Sequence, residues 1–401
     1  LTVNLGEAIN EARAVTDALF RVVRPDSLYE RPIPERHRII FYLGHLEAFD
    51  WNQVARGALG MKSFHPSFDK LFEFGIDPRE GTLPDDTASD WPSVEEVESY
   101  NRRVRAELDG AVNNAPPQSL CIALEHRLMH AETFAYMLHN LPYERKIAEA
   151  AGHSAGGGTA AHRMIQIPAG AATLGRRRED GFGWDNEYDE HTVPVASFAI
   201  AKHKVTNGDY LDFVSAGARP PHFWVRRDGR WFCRGMFSDI DMPWEWPVYV
   251  TQNEAEAYAS WKGMSLPTEA QFHRAAYGTP QGDERLYPWG DEKPHPSRGN
   301  FDFAGWDPAP VSATPEGDSA FGVSQMVGNG WEWTSTVFEP FSGFEPFPTY
   351  PGYSANFFDG EHFVMKGGSA RTAAALLRRS FRNWFRPRYP YVYAGFRLVE
   401  N

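Results

Sequence analysis

Through the first third of the chain, apolar residues recur at intervals of three and four, the spacing that lines one face of a helix. Four segments follow this rule. Residues 5–24 carry Ala8, Ile9, Ala12, Val15 and Leu19 on one stripe and stop at Pro25. Residues 35–59 follow Pro34, a favoured helix-entry residue, and repeat apolar positions through Ile39, Ile40, Leu43, Leu46 and Phe49. Residues 93–108 open on Ser93-Val94-Glu95-Glu96, in which Ser93 and Glu96 can satisfy each other's backbone donors. Residues 119–140 end before Leu141-Pro142. Four helices, with one long connection over 60–92, predict a helical bundle.

Beyond this region the pattern changes. Residues 151–162, rich in Gly, Ala and Ser, read as a linker. After it come short alternating runs such as 163–167, 196–200 and 362–365, broken by Gly/Pro turns, with helices predicted at 251–262 and 268–277. The expectation is an α+β chain of two domains, 1–150 and 163–401. A length of 401 residues, too great for one ordinary core, agrees.

The formal net charge of −13 argues against nucleic acid or an anionic membrane as the main partner. No apolar run approaches the roughly 20 residues that span a bilayer, and the first residues do not form a basic-then-apolar secretion signal. Two cysteines, Cys121 and Cys233, cannot make a disulfide framework or a thiolate metal cage. Taken together these features predict a cytoplasmic protein.

The sharpest chemistry lies in the fourth helical segment, Glu125-His126-Arg127-Leu128-Met129-His130-Ala131-Glu132. Histidines at i and i+4 share a helix face and can share an ion. A solvated pair is the commoner meaning of that spacing. A third histidine, His45, lies mid-helix in an apolar stretch where an unpartnered imidazole is costly. Helical bundles build metal sites from facing helices. Three imidazoles suit zinc, iron or copper, and three protein ligands leave positions open for chemistry. Glu132 is a candidate to orient a ligand.

Residues 164–399 resemble the formylglycine-generating-enzyme-like domain, a variant of the C-type lectin fold. The resemblance rests on Gly183-Trp184-Asp185-Asn186-Glu187, His203-Lys204-Val205-Thr206-Asn207, Leu266-Pro267-Thr268-Glu269, Gly328-Asn329-Gly330-Trp331-Glu332-Trp333, Lys366-Gly367-Gly368-Ser369 and Ala394-Gly395-Phe396-Arg397. Most of these residues are expected to serve the fold. A formylglycine generator carries a late cysteine pair, absent here, so that activity is not expected. The N-terminal third resembles the DinB-like four-helix domain. The two together resemble the ergothioneine-type sulfoxide synthases. That resemblance implies Fe(II) on His45, His126 and His130, with O2 used to bond sulfur to the imidazole of hercynine, Nα-trimethylated histidine. It also implies that Asn383 and Trp384 line the hercynine pocket, at a junction of the domains.

Several positions depart from the family pattern. Met129 stands where a glutamine often contacts substrate. Phe385 follows Asn383-Trp384 where an aspartate is common, and Tyr389 falls near an expected arginine. The loop that usually carries two arginines offers only Arg79. The tyrosine that assists oxygen chemistry falls in the neighbourhood of Tyr350 and Tyr353. A pocket lacking these charges is poorly matched to cysteine or γ-glutamylcysteine. It is similar to that of the selenoneine synthase branch, which takes an uncharged selenosugar. The expected function is therefore carbon–selenium bond formation on hercynine, with a thiol donor second. A lectin-like binding module and a zinc thiol transferase are the rivals from other classes.

Overall fold

The computed structural model describes residues 4–75, 82–147 and 163–400. The chain forms two compact units, Leu1–Ala150 and Ala151–Asn401.

Unit 1 holds α1 (Leu5–Arg21), α2 (Ile39–Asp50), α3 (Pro66–Leu71), α4 (Val94–Ala111) and α5 (Pro117–Asn140). α1 packs on α5, and α2 packs on α4 and α5. In α2, Leu43 alone escapes full burial. A helix apolar on every side belongs at the centre of its unit. The expected start of this helix at residue 35 shifts to Ile39, because residues 35–38 run as irregular backbone. Past Asp50 it continues as a π-helical stretch, Trp51–Ala58, in which the Leu59 amide donates to the Val54 carbonyl at 3.0 Å. α4 begins as the sequence predicts: the Ser93 amide donates to Glu96 Oε2 at 2.9 Å and the Glu96 amide to Ser93 Oγ at 3.3 Å.

A buried ion network ties these helices together. Arg127 of α5 is 1% exposed; its Nη2 lies 2.6 Å from Asp50 Oδ2 and 3.1 Å from Glu47 Oε2. Arg105 of α4 reaches the same Glu47 at 2.7 Å and grips Asp17 of α1 through two bonds of 2.7 and 2.8 Å. Burial pushes Asp50 up against the pull of Arg127, whereas Arg127 and Arg105 together hold Glu47 below its ordinary range despite burial. Pairing in this way lets four helices share charged groups inside the unit.

Unit 2 contains β1 (Met164–Ile167), β2 (Gly170–Leu174), β3 (His191–Val195), β4 (Phe198–Ala201), α6 (Asn207–Ser215), β5 (Trp224–Arg227), β6 (Arg230–Arg234), β7 (Asp239–Asp241), α7 (Gln252–Trp261), α8 (Glu269–Tyr277), β8 (Trp331–Val337), β9 (Phe363–Lys366), β10 (Asn383–Phe385), β11 (Ala394–Gly395) and β12 (Val399–Glu400). The sheet orders are β1-β4-β12 and β10-β9-β8-β11, beside an antiparallel β2-β3 pair and a β5-β6-β7 meander. Both helices predicted in this region form, each with a capping box, from Thr251 to Glu254 and from Thr268 to Gln271. A core of Ile165, Ile167, Val195, Phe198, Ile200, Phe272, Val323, Met326 and Val399 joins α8, the β2-β3 pair and the β1-β4-β12 sheet.

The blocks that carry the family resemblance are internal structure. Lys204, Glu332 and Arg397 come from three separate blocks and meet without solvent. Glu332 accepts from Arg397 at 2.6 and 2.8 Å and pairs with Lys204 at 3.0 Å. A second buried group joins Glu269 to Arg382 at 3.1 Å and to Lys366 at 3.7 Å. Gly367, at φ +100°, is required because a Cβ there would stand 2.7 Å from the Met326 carbonyl oxygen.

Candidate metal centre

α2 presents His45 and α5 presents His126 and His130. One nitrogen from each of the three rings lies within 4.8 Å of the other two. Ring centroids are 5.1 Å apart for His45–His126, 4.8 Å for His45–His130 and 4.4 Å for His126–His130. His45 and His126 are 2% and 3% exposed, and His130 is half-buried. Phe41 stacks on His45 at 4.8 Å, and Phe49 lies flat on His126 at 3.4 Å. The trio therefore sits in aromatic surroundings that hold the rings and limit water.

His45 Nδ1 is 2.7 Å from the Phe72 carbonyl oxygen. A carbonyl only accepts, so Nδ1 carries the proton and Nε2 keeps its lone pair. That Nε2 lies 3.3 Å from His130 Nε2. Nitrogens this close are within reach of one shared ion, at about 2.1 Å from each. Burial drives His45 down to about 4, opposed by the hydrogen bond to Phe72. It drives His126 and His130 well below the ordinary histidine range, with the neighbouring rings adding to the effect. Neutral imidazoles are the form that binds metal. His130 Nδ1 is buried with no hydrogen-bond partner among the described residues. The donor set fits a first-row divalent ion with open positions.

In unit 2, Asn383 and Trp384 lie on β10, where Asn383 pairs with Met365 of β9. The Trp384 indole stacks on Phe338 at 4.1 Å and 6°. Tyr353 meets its edge at 5.3 Å, and Phe357 flanks it at 5.6 Å. Asn383 Oδ1 accepts from the Trp384 amide at 2.9 Å. Tyr353 also stacks on Trp184 at 3.8 Å, and Tyr350 is 5.7 Å from Tyr353. Burial, with Asp185 nearby, raises the Tyr350 phenol to about 12, so it is protonated at neutral pH. Unit 2 thus brings Asn383, Trp384, Tyr350 and Tyr353 into one aromatic cluster. Phe385 and Tyr389 form a separate stack, 5.1 Å apart and 13° from parallel. Arg386 pairs with Glu361 at 3.0 Å. Met129 is half-buried on α5, beside His130, and Glu132 is buried. Arg79 lies outside the described residues. So does the expected linker, 151–162.

Comparison with known proteins identifies both domains. A model of the DinB superfamily matches residues 8–140, and one of the sulfatase-modifying factor enzyme 1-like domain matches residues 149–401. The hercynine oxygenase of Mycolicibacterium smegmatis is 33% identical, covering 76% of this chain and 77% of that protein. The chain belongs to the hercynine oxygenase family. The family's Mycobacterium tuberculosis hercynine oxygenase is 40% identical, over 54% of this chain and 55% of that protein. Ergothioneine biosynthesis protein 1 of Neurospora crassa is 27% identical, over 97% of this chain and 56% of that protein. This chain therefore spans little more than half the length of those two relatives. Among the described residues no helix is long and apolar enough to cross a membrane.

Sequence reasoning missed two features of the metal centre. The Phe72 carbonyl is a backbone group, so residue type gives no sign of it. The Arg127 network had a sequence sign: Glu47 and Asp50 interrupt an otherwise apolar helix.

Proposed function

We propose that this chain is a non-haem iron enzyme that uses O2 to form a carbon–chalcogen bond on the imidazole of hercynine. The observation that carries this reading is the convergence of three neutral imidazoles, two buried and one half-buried, in a member of the hercynine oxygenase family. His45, His126 and His130 would hold Fe(II), and bound Fe(II) would supply reductive activation of O2. In the balanced reaction, hercynine gives up a C–H and the donor its chalcogen–H, and a carbon–chalcogen bond forms. O2 accepts the four electrons, leaving one oxygen atom on the chalcogen and one in water.

The chain's own groups bind and orient. Trp384 has one face on Phe338, and its other face would receive the trimethylammonium group by cation–π attraction. Asn383 would steer the hercynine carboxylate through water. Tyr353 or Tyr350, each a phenol within the Trp184 cluster, would deliver a proton to the reacting oxygen.

For the donor, the reading is a selenosugar. The stacked Phe385–Tyr389 pair supports it, because sugar faces lie well on aromatic rings. Arg386 is already engaged by Glu361, which weakens it as an anchor for an amino-acid carboxylate. The likeness to an ergothioneine biosynthesis protein favours the second reading, a cysteine-type thiol held by Arg79 or Arg388. The test is competition: Fe(II)-loaded protein, hercynine and O2 with a 1-selenosugar and γ-glutamylcysteine at equal concentration, the products read by mass spectrometry. A selenium-bearing hercynine product should dominate. A dominant cysteine-derived sulfoxide would overturn the donor assignment in favour of the thiol.

A further inference from the structure

Gly44 stands in the middle of α2, next to His45. Glycine weakens a helix interior, so its presence there asks for a packing reason. The reason is Phe72, the residue after α3. A Cβ on Gly44 would lie 2.6 to 2.7 Å from atoms of the Phe72 ring, far inside contact distance. Phe72 is fully buried, packed against Phe41, Phe68, Trp91 and Tyr100, so its ring has nowhere to retreat. The same residue's carbonyl oxygen receives the His45 Nδ1 proton at 2.7 Å.

We propose that Gly44 and Phe72 are positioning residues for the metal centre. The ring of Phe72 is seated in the space left by the missing Cβ of Gly44. That seat sets its carbonyl to hold the Nδ1–H of His45, so that Nε2 is the nitrogen presented to the ion. Neither residue touches the ion or a substrate. Both act through His45, whose tautomer and ring plane they fix before any metal arrives. The consequence for metal affinity rests on the metal-centre reading above; the tautomer does not.

The experiment uses the full chain, metal-free and with 15N-labelled histidine. Long-range 1H–15N correlation near neutral pH reads the tautomer of His45, assigned by its absence in the His45→Gln protein. A chelator competition then measures affinity for Co(II). In the wild-type protein His45 should be a single Nδ1–H tautomer. Gly44→Ala should release it to a tautomer mixture and weaken Co(II) binding about 10–100-fold. Gly44→Ala combined with Phe72→Leu, which makes room for the new methyl group, should recover much of both. A general loss of packing would not be reversed by a second truncation in the core. Should Gly44→Ala not fold, Phe72→Leu alone carries the test, with loss of the single tautomer expected. An Nε2–H or mixed tautomer in the wild-type protein would overturn the proposal. So would an unchanged tautomer and Co(II) affinity in folded Gly44→Ala, or in Phe72→Leu where that variant carries the test. A fixed Nδ1–H tautomer in a wild-type protein that binds no Co(II) would instead sink the metal-centre reading and leave the positioning role standing.

Discussion

Replacing Trp384 by alanine should separate hercynine recognition from folding. The indole is half-buried and stacks face to face on Phe338 at 4.1 Å, with Tyr353 at its edge. Truncation removes two things at once. Loss of the aromatic stack costs about 0.5–1.5 kcal/mol of stability, plus the burial of a ring that is only partly covered. Loss of the cation–π partner costs hercynine about 1–2 kcal/mol, or on the order of tenfold in its apparent constant. Trp384→Phe keeps a ring on Phe338 and should lose much less of each. Steady-state O2 uptake against hercynine concentration measures the second effect, and thermal unfolding of the same samples measures the first. A raised hercynine KM in Trp384→Ala, restored toward wild type in Trp384→Phe, is the expected pattern. An unchanged KM in a folded Trp384→Ala protein would show that hercynine binds elsewhere and that the aromatic cluster serves only the fold.

Burial raises the Asp185 carboxyl from 3.8 to about 6, against the hydrogen bond from Ser354. Its ionisation therefore costs the folded state up to about 3 kcal/mol; the cost is absent below pH 3.8, grows up to about 6 and is complete above that. Asp185→Asn should raise Tm at pH 7.5 and leave it nearly unchanged near pH 4; equal shifts at both would refute the assignment. Glu332→Gln leaves Arg397 and Lys204 buried together without their shared carboxylate, a loss of about 3–5 kcal/mol and on the order of 10 °C in Tm. A melting curve within a degree or two of wild type would mean that the pair is dispensable.

The histidine trio was legible because each member left a mark in the sequence. His126 and His130 stand one turn apart, and His45 interrupts an apolar run. Helix ends were legible where capping chemistry is local, as at Ser93 and Thr251. What stayed hidden depends on distance. Lys204, Glu332 and Arg397 stand in three blocks expected to serve the fold, but their spacing gives no sign that they close into one buried group. α3 is six residues long, too short for a periodic signal, and the π-helical stretch after Asp50 keeps helical spacing while changing its hydrogen bonds. Phe72 reads as ordinary core, because the atom that matters to His45 belongs to its backbone. The aromatic neighbours of Trp384 are in the same position: Phe338 and Phe357 are unremarkable until β9 and β10 pair.

Whether His45, His126 and His130 hold one catalytic Fe(II) can be read from anaerobic reconstitution of the wild-type and His45→Ala proteins, followed by measurement of bound iron per chain and O2 uptake with hercynine and donor. The wild-type chain should retain one Fe(II) and consume O2 only when both substrates are present. His45→Ala should lose iron and turnover together, since an ion left with two imidazoles loses both affinity and geometry. Full iron occupancy in the folded His45→Ala protein would mean that the iron is held by other residues.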